Sequence, residues 1–152
     1  ERLVLASSVW AMRGKWEQGG LVQATQAQPG GGAYGRSKAM AEELTKGATS
    51  GTLSTVVLRI GERVAGDQVP TRINDWEDAC WLGWDDFLNG VECALDAPRD
   101  GFTVVNLVSD NPAGRWSLSE ARETIGFVPK ETFAPSREPG FLTRARRRLL
   151  GA

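Results

Sequence analysis

An α/β fold with a mostly parallel sheet is predicted by three observations: apolar strands, amphipathic segments of helical length, and strict alternation between the two. The order is strand, helix, strand, helix, strand, helix, which suits a sheet whose strands are each carried back to the same end before the next begins. At 152 residues, with 41% hydrophobic and 24% charged residues, the chain is sized for one domain with a core of its own. No internal repeat and no low-complexity segment interrupts the pattern.

Arg2 to Ala6 reads as a short buried strand, apolar and bounded by Ser7-Ser8. Val9 to Gly32 reads as a loop, punctuated by Gly19-Gly20, Pro29 and Gly30-Gly31-Gly32. A loop of that length in a compact domain is usually functional. Tyr34 to Lys46 reads as a helix with Ala39, Met40, Ala41 and Leu44 as a narrow apolar face, and with Glu42 and Glu43 as surface charges. Thr55 to Ile60 is the clearest strand, β-branched and then apolar, stopped by Gly61. Glu62 to Asp75 reads as irregular.

The next helix spans Trp84 to Ala97, with Phe87, Leu88, Val91, Ala94 and Leu95 on one face and Pro98 at its end. Phe102 to Val108 follows as a strand. Ser117-Leu118-Ser119-Glu120 has the form of a capping box, in which the serine caps a backbone N–H and the glutamate reaches back. The helix it opens runs to Ile125 and closes at Gly126. Residues 1–135 are expected to form the domain. Residues 136–152, with Arg144-Ala145-Arg146-Arg147-Arg148, are expected to be a solvated polar and basic tail.

A net charge of −1 gives no sign of a nucleic-acid partner, and no run approaches the apolar length that crosses a membrane. Cys80 and Cys93 lack metal-site spacing, and two such cysteines fit reduced thiols in a cytoplasmic protein. The chain contains no histidine, which removes Ser-His and Cys-His catalysis and nearly all zinc chemistry. Proton transfer must use Tyr, Lys, Asp or Glu. Trp76, Trp81 and Trp84 lie close in sequence, and packing is the expected use of the cluster over stacking on a sugar.

The residues that carry chemistry are Tyr34 and Lys38. Four apart at the head of a helix, they share a face. An ammonium beside a phenol favours phenolate, and so does the positive end of the helix. Such a tyrosine exchanges a proton with a substrate hydroxyl or carbonyl, and Ser8, delivered by the preceding strand, can hydrogen-bond the same oxygen. A tyrosine and a lysine at this spacing often occur by chance. The serine after a strand, and the strand that follows, are what raise this pair above chance.

Ser8 followed by Tyr34-Gly35-Arg36-Ser37-Lys38 resembles the short-chain dehydrogenase/reductase signature of a serine and then Tyr-x-x-x-Lys. The likeness is to the extended group, the NAD-dependent epimerase/dehydratase family, and within it to the uronate dehydrogenase-like branch. Val57 to Gly61, Trp81 to Phe87, Val105 to Asn111 and Trp116 to Pro129 extend it over roughly residues 2–130. The resemblance implies a Rossmann-like sheet and NAD or NADP as cofactor. It implies Tyr34 as general acid/base, Lys38 as ligand of the nicotinamide ribose, and Ser8 as the group that aligns the substrate. Ser7 and Ile60 join the cofactor side, and Val9, Glu62 and Arg72 the substrate side. A sugar or sugar acid is the implied substrate, and a homodimer through the Tyr34–Lys46 helix the implied assembly. A nucleotide-sugar epimerase or dehydratase, a non-catalytic NAD(P)-sensing or interaction domain, and an inactive fragment are the competing readings.

The chain departs from that family in three places. The strand, glycine-rich turn and helix that open a dinucleotide fold are absent, so the sequence reads as a C-terminal portion lacking the N-terminal βαβ units, with roughly 100 residues upstream at about 30 per unit. Gly30 to Gly35 matches G-x-G-x-x-G as a string but follows a polar loop, and reads as a flexible approach to Tyr34. Val9 and Trp10 stand where uronate dehydrogenases tend to have polar residues. Glu62 stands where a small polar residue is expected, and a carboxylate there repels an acidic sugar.

Overall fold

The computed structural model describes residues 1–26, 30–62 and 75–133. Arg72, most of the segment expected to be irregular, and the basic tail lie outside these residues.

Three parallel strands form the sheet in the order β1-β2-β3, where β1 is Arg2–Ser8, β2 is Ser54–Ile60 and β3 is Phe102–Leu107. Arg2 to Ser8 pair with Ser54 to Ile60 without a break, and Thr55 to Ile60 pair with Phe102 to Leu107. All three strands therefore finish at one end of the sheet, with Ser8 beside Ile60 and Ile60 beside Leu107. This is the Rossmann-like α/β arrangement that the alternating elements predict.

β2 is the central strand and is buried along nearly its whole length. Its two faces carry different chemistry. Val56 and Leu58 pack with Ala94, Val105, Leu107, Ala121, Ile125 and Phe127 into the main core. Thr55 and Arg59, in alternate register, are bound on the other face by Thr49 and Glu42. β1 is less buried than its apolar sequence predicts, with Leu3 39% exposed. Among the described residues it pairs on one edge only, so it lacks the second neighbour that buries β2.

The long loop expected between Val9 and Gly32 contains a short 3-10 turn, Val9–Met12, and helix α1, Arg13–Glu17. The Ser8 hydroxyl accepts the Trp10 N–H and caps the turn. Val9 and Met12 are fully buried beneath it. The Arg13 guanidinium sits 5.1, 5.4 and 4.3 Å from the ring centres of Trp10, Trp16 and Trp76. Trp76 in turn packs on Trp10, Trp16 and Trp116 at 5.1–5.5 Å. Cation–π and edge-to-face contacts thus order a segment whose glycines predict a loop.

Helix α2, Gly32–Ala48, carries the chain from β1 to β2. Its apolar face does not face the sheet. Met40 and Leu44 are 66% and 75% exposed, while Gly35, Glu42 and Thr45 are buried. The cause is the Glu42–Arg59 ion pair at 2.6 Å, which turns the polar side of the helix inward and corrects the reading of Glu42 as a surface charge. Helix α3 is Asp75–Cys80 and helix α4 is Trp84–Asp96. α4 buries Ala94 and packs Phe87 and Val91 against the core as expected, leaves Leu88 and Leu95 exposed, and also packs through Gly90. A Cβ at Gly90 would lie 2.2 Å from Leu107 Cδ1, so the helix comes closer to the sheet there than any side chain allows.

The start of α4 is locked to the segment after α5, Ser119–Ile125. Buried Asp86 accepts the Ser109 hydroxyl at 2.6 Å and the Lys130 and Glu131 N–H groups at 2.7 and 3.0 Å, while Glu131 accepts the Asp86 N–H at 2.8 Å. The capping box before α5 forms differently from its expectation. Ser117 donates to Glu120 itself, and the other Glu120 oxygen accepts the N–H of distant Ala24 at 3.0 Å. Cys80 is buried and Cys93 partly buried, and both are thiols. Trp76 and Trp81 pack in the interior as expected, while Trp84 is 50% exposed. Among the described residues, no helix is long and apolar enough to cross a membrane.

Candidate active site

The parallel register brings the ends of β1 and β2 side by side, and α2 rises directly over them. Between these elements lies a cleft of about 460 Å³. Ser7, Ser8, Tyr34, Lys38, Ile60 and Glu62 all line it, together with Trp10 and Gly61. The structure thus gathers six residues singled out in the sequence, drawn from three separate stretches. Val9 is not among them. Its side chain is fully buried in the core with Met12 and Val22, because the 3-10 turn rotates it inward and presents Trp10 to the cleft. Arg72 lies outside the described residues.

Tyr34 is 54% exposed, and its hydroxyl has no hydrogen-bond partner among the described residues. The Lys38 ammonium lies 5.6 Å from the Tyr34 ring centre and donates to the Ala6 carbonyl at 2.9 Å. That bond uses one of its three donors. The remaining two stay available on the Tyr34 side of β1. Ser8 is 6% exposed, and its oxygen accepts the Trp10 N–H at 3.3 Å, which leaves its own proton to donate.

The Ser7 hydroxyl is engaged elsewhere. Its hydroxyl donates to Glu42, which is also bound by Arg59 through Nε and Nη2. Arg59 Nη1 donates to the Ala24 carbonyl at 2.8 Å, so the network joins β1, β2, α2 and the loop after α1 under the floor of the cleft. Sequence reasoning missed this pair. An arginine inside an otherwise apolar strand was the available signal, since a buried guanidinium requires an acidic partner.

The Gly30 to Gly35 string has a packing role. The Gly31 N–H donates to the Trp10 carbonyl at 3.0 Å. A Cβ on Gly35 would lie 2.3 Å from the same carbonyl oxygen, and one on Gly30 would lie 2.2 Å from the Gly35 backbone. The glycines let α2 start in contact with the Trp10 backbone, which fixes the head of the helix and with it Tyr34. This replaces the flexible approach that the sequence suggests.

Glu62 closes the cleft opposite α2. Its N–H donates to the Cys80 carbonyl at 2.8 Å and its carbonyl accepts the Leu82 N–H at 2.9 Å. One carboxylate oxygen accepts the Trp10 indole N–H and, at 3.4 Å, that of Trp76. Among the described residues, no group of three or more His, Cys, Asp or Glu side chains is placed to hold a metal ion.

No protein-family model and no curated protein matches the chain. Solved structures do. A mutated uronate dehydrogenase is 25% identical, with a TM-score of 0.69 over 87% of this chain and 46% of its own. The uronate dehydrogenase of Agrobacterium tumefaciens, in a mutant form complexed with NAD, is 24% identical, with a TM-score of 0.66 over 91% of this chain and 54% of its own. MoeE5, in complex with UDP-glucuronic acid and NAD, is 16% identical, with a TM-score of 0.62 over 86% of this chain and 60% of its own. The chain spans about half the length of the solved structures it matches. The resemblance carried by Ser8, Tyr34 and Lys38 and the likeness in three dimensions agree on the same group of enzymes, NAD-dependent and of the epimerase/dehydratase type.

Proposed function

We propose that this chain supplies the hydride-transfer end of an NAD(P)-dependent oxidoreductase acting on a hydroxyl or carbonyl of a sugar or sugar acid. The observation that carries the reading is the convergence of Ser8, Tyr34 and Lys38 on one cleft at the C-terminal ends of parallel strands, where open α/β sheets bind their ligands. Tyr34, exposed and unengaged, exchanges a proton with the reacting oxygen. Ser8 donates to that oxygen and holds it in line. Lys38, its ammonium 5.6 Å from the Tyr34 ring centre, places positive charge beside that exchange.

The donor set also fits the nicotinamide ribose. Lys38 keeps two free donors, the Tyr34 hydroxyl is open, and Ile60 offers an apolar wall beside Ser7. When bound, NAD(P) would supply the hydride acceptor or donor. The described residues supply no phosphate cradle, since the Gly30 to Gly35 backbone is packed on Trp10. The reading therefore assigns this chain the nicotinamide end of the cofactor. Met40 and Leu44, exposed side by side on α2, also support a homodimer through that helix.

The test is reduction of NAD or NADP by a panel of sugars and sugar acids, with Tyr34→Phe as control. Turnover should fall about 10²–10⁴-fold in the variant, the usual contribution of a general acid/base, with sugar binding retained. Unchanged turnover removes the assignment. A second reading, a nucleotide-sugar epimerase or dehydratase, draws on the likeness to MoeE5. Net accumulation of NADH with a free sugar favours the dehydrogenase, and its absence during product formation favours the second reading.

A further inference from the structure

Glu62 is held as a fixed anion in the wall of the cleft. Four contacts set its position: backbone bonds to Cys80 and Leu82 on either side, and indole N–H groups of Trp10 and Trp76 on a single carboxylate oxygen. Its second oxygen, Oε2, accepts no hydrogen bond from the described residues, although the residue lines the cleft with Tyr34 and Ser8. The cation lining the cleft among these residues is Lys38, which spends one donor on the Ala6 carbonyl and keeps two. The nearby guanidinium of Arg13 is covered by the faces of three indoles. Glu62 therefore presents to the cleft a rigid acceptor with spare capacity, and a charge that opposes an anion brought against it.

We infer that Glu62 selects the substrate by charge: the group it meets is a hydrogen-bond donor, a hydroxyl or an ammonium, and a carboxylate at that place is rejected. The inference rests on the reading of the cleft as a sugar site and narrows it, turning the substrate class away from uronates. An ionised carboxylate accepts strong hydrogen bonds from O–H and N–H donors. A substrate carboxylate brought to the same place meets like charge with no proton between the two groups. Swinging Glu62 aside would break its bonds to Trp10 and Trp76, so the wall cannot yield without cost.

The experiment compares binding of glucose, glucosamine and glucuronate to the chain, read by NMR from the Trp10 indole N–H resonance. The wild-type chain should bind glucose and glucosamine at least about tenfold more tightly than glucuronate, the scale of one unfavourable charge contact near a protein surface. Glu62→Gln keeps an oxygen for the indoles while removing the charge, and should bring glucuronate level with glucose. Glu62→Asp keeps the charge and should keep the wild-type order, which separates lost charge from lost folding. Glucuronate binding as tight as glucose in the wild type overturns the inference, as does an unchanged order in Glu62→Gln or no binding of any sugar. Absence of turnover with every sugar overturns the hydride-transfer reading alone, because the binding order is measured without it.

Discussion

Arg59 reaches Glu42 inside the molecule, with both side chains less than a tenth exposed, so each is the other's compensation for leaving water. Glu42→Ala would leave a buried guanidinium with the Ala24 carbonyl as its one acceptor among the described residues, and would also strip the Ser7 hydroxyl of its acceptor. The expected loss is about 3–5 kcal/mol, the range for breaking a buried pair from one side. Urea unfolding monitored by circular dichroism measures it. The double variant Glu42→Leu with Arg59→Met should recover much of the loss, since no charge then remains uncompensated. A midpoint for Glu42→Ala equal to that of the wild type would show the pair to be idle. At this scale the sequence discloses its catalytic candidates and hides their support. Ser8, Tyr34 and Lys38 are legible because their chemistry depends on spacing along the chain. Glu42 is not, because its burial depends on a strand residue 17 positions away.

Helix α5 shows how a motif can be present in sequence and used differently in space. Glu120 was expected to cap its own helix start; it ties that start to Ala24 across the molecule instead. Burial alone would push its carboxyl up. Hydrogen bonds from Ser117, from its own backbone N–H, from Ser119 and from Ala24 outweigh that and hold it below the usual value of 4.5. A carboxylate lowered on folding stabilises the fold above its unfolded value, and that contribution disappears as pH falls through the folded value. Glu120→Gln should therefore cost about 1 kcal/mol at pH 7, typical of a lost cap or charged hydrogen bond. Wild type and variant should converge as the pH falls through that lowered folded value, where the carboxylate protonates. Thermal unfolding across that range checks it; a gap that widens in acid would reverse the sign. In α2 the same lesson concerns faces. The apolar stripe of Met40 and Leu44 predicts burial correctly for a helix held by hydrophobic contact, but an ion pair and three close-packed glycines set its rotation.

Across the whole molecule, the strand and helix order was readable because alternation is a property of the chain. Which surfaces face outward was not, because that depends on neighbours. Met40 and Leu44 stand exposed on α2, Leu88 and Leu95 on α4, and Leu3 on β1. A second copy against the α2 surface would cover the first pair. Sedimentation should then report twice the 16.5 kDa chain mass, and Leu44→Glu should restore the single chain with its circular dichroism unchanged. A single-chain mass for the unmodified protein at high concentration would remove the α2 dimer.

Trp10 ties together several parts of this architecture. Its amide meets Ser8, its carbonyl meets Gly31 and abuts Gly35, and its indole meets Glu62 and packs on Trp76. One residue therefore joins Ser8 and the helix that carries Tyr34 through its backbone, and Glu62 through its indole. For laboratory evolution this makes position 10 a poor place to begin. A replacement there keeps the backbone contacts to Ser8 and Gly31 but strips the indole from Glu62, Trp76 and the Arg13 guanidinium together, while Glu62 offers a single trait to vary. New substrate ranges on this scaffold are best sought through Glu62, with Trp10 left in place until the fold has stability to spare.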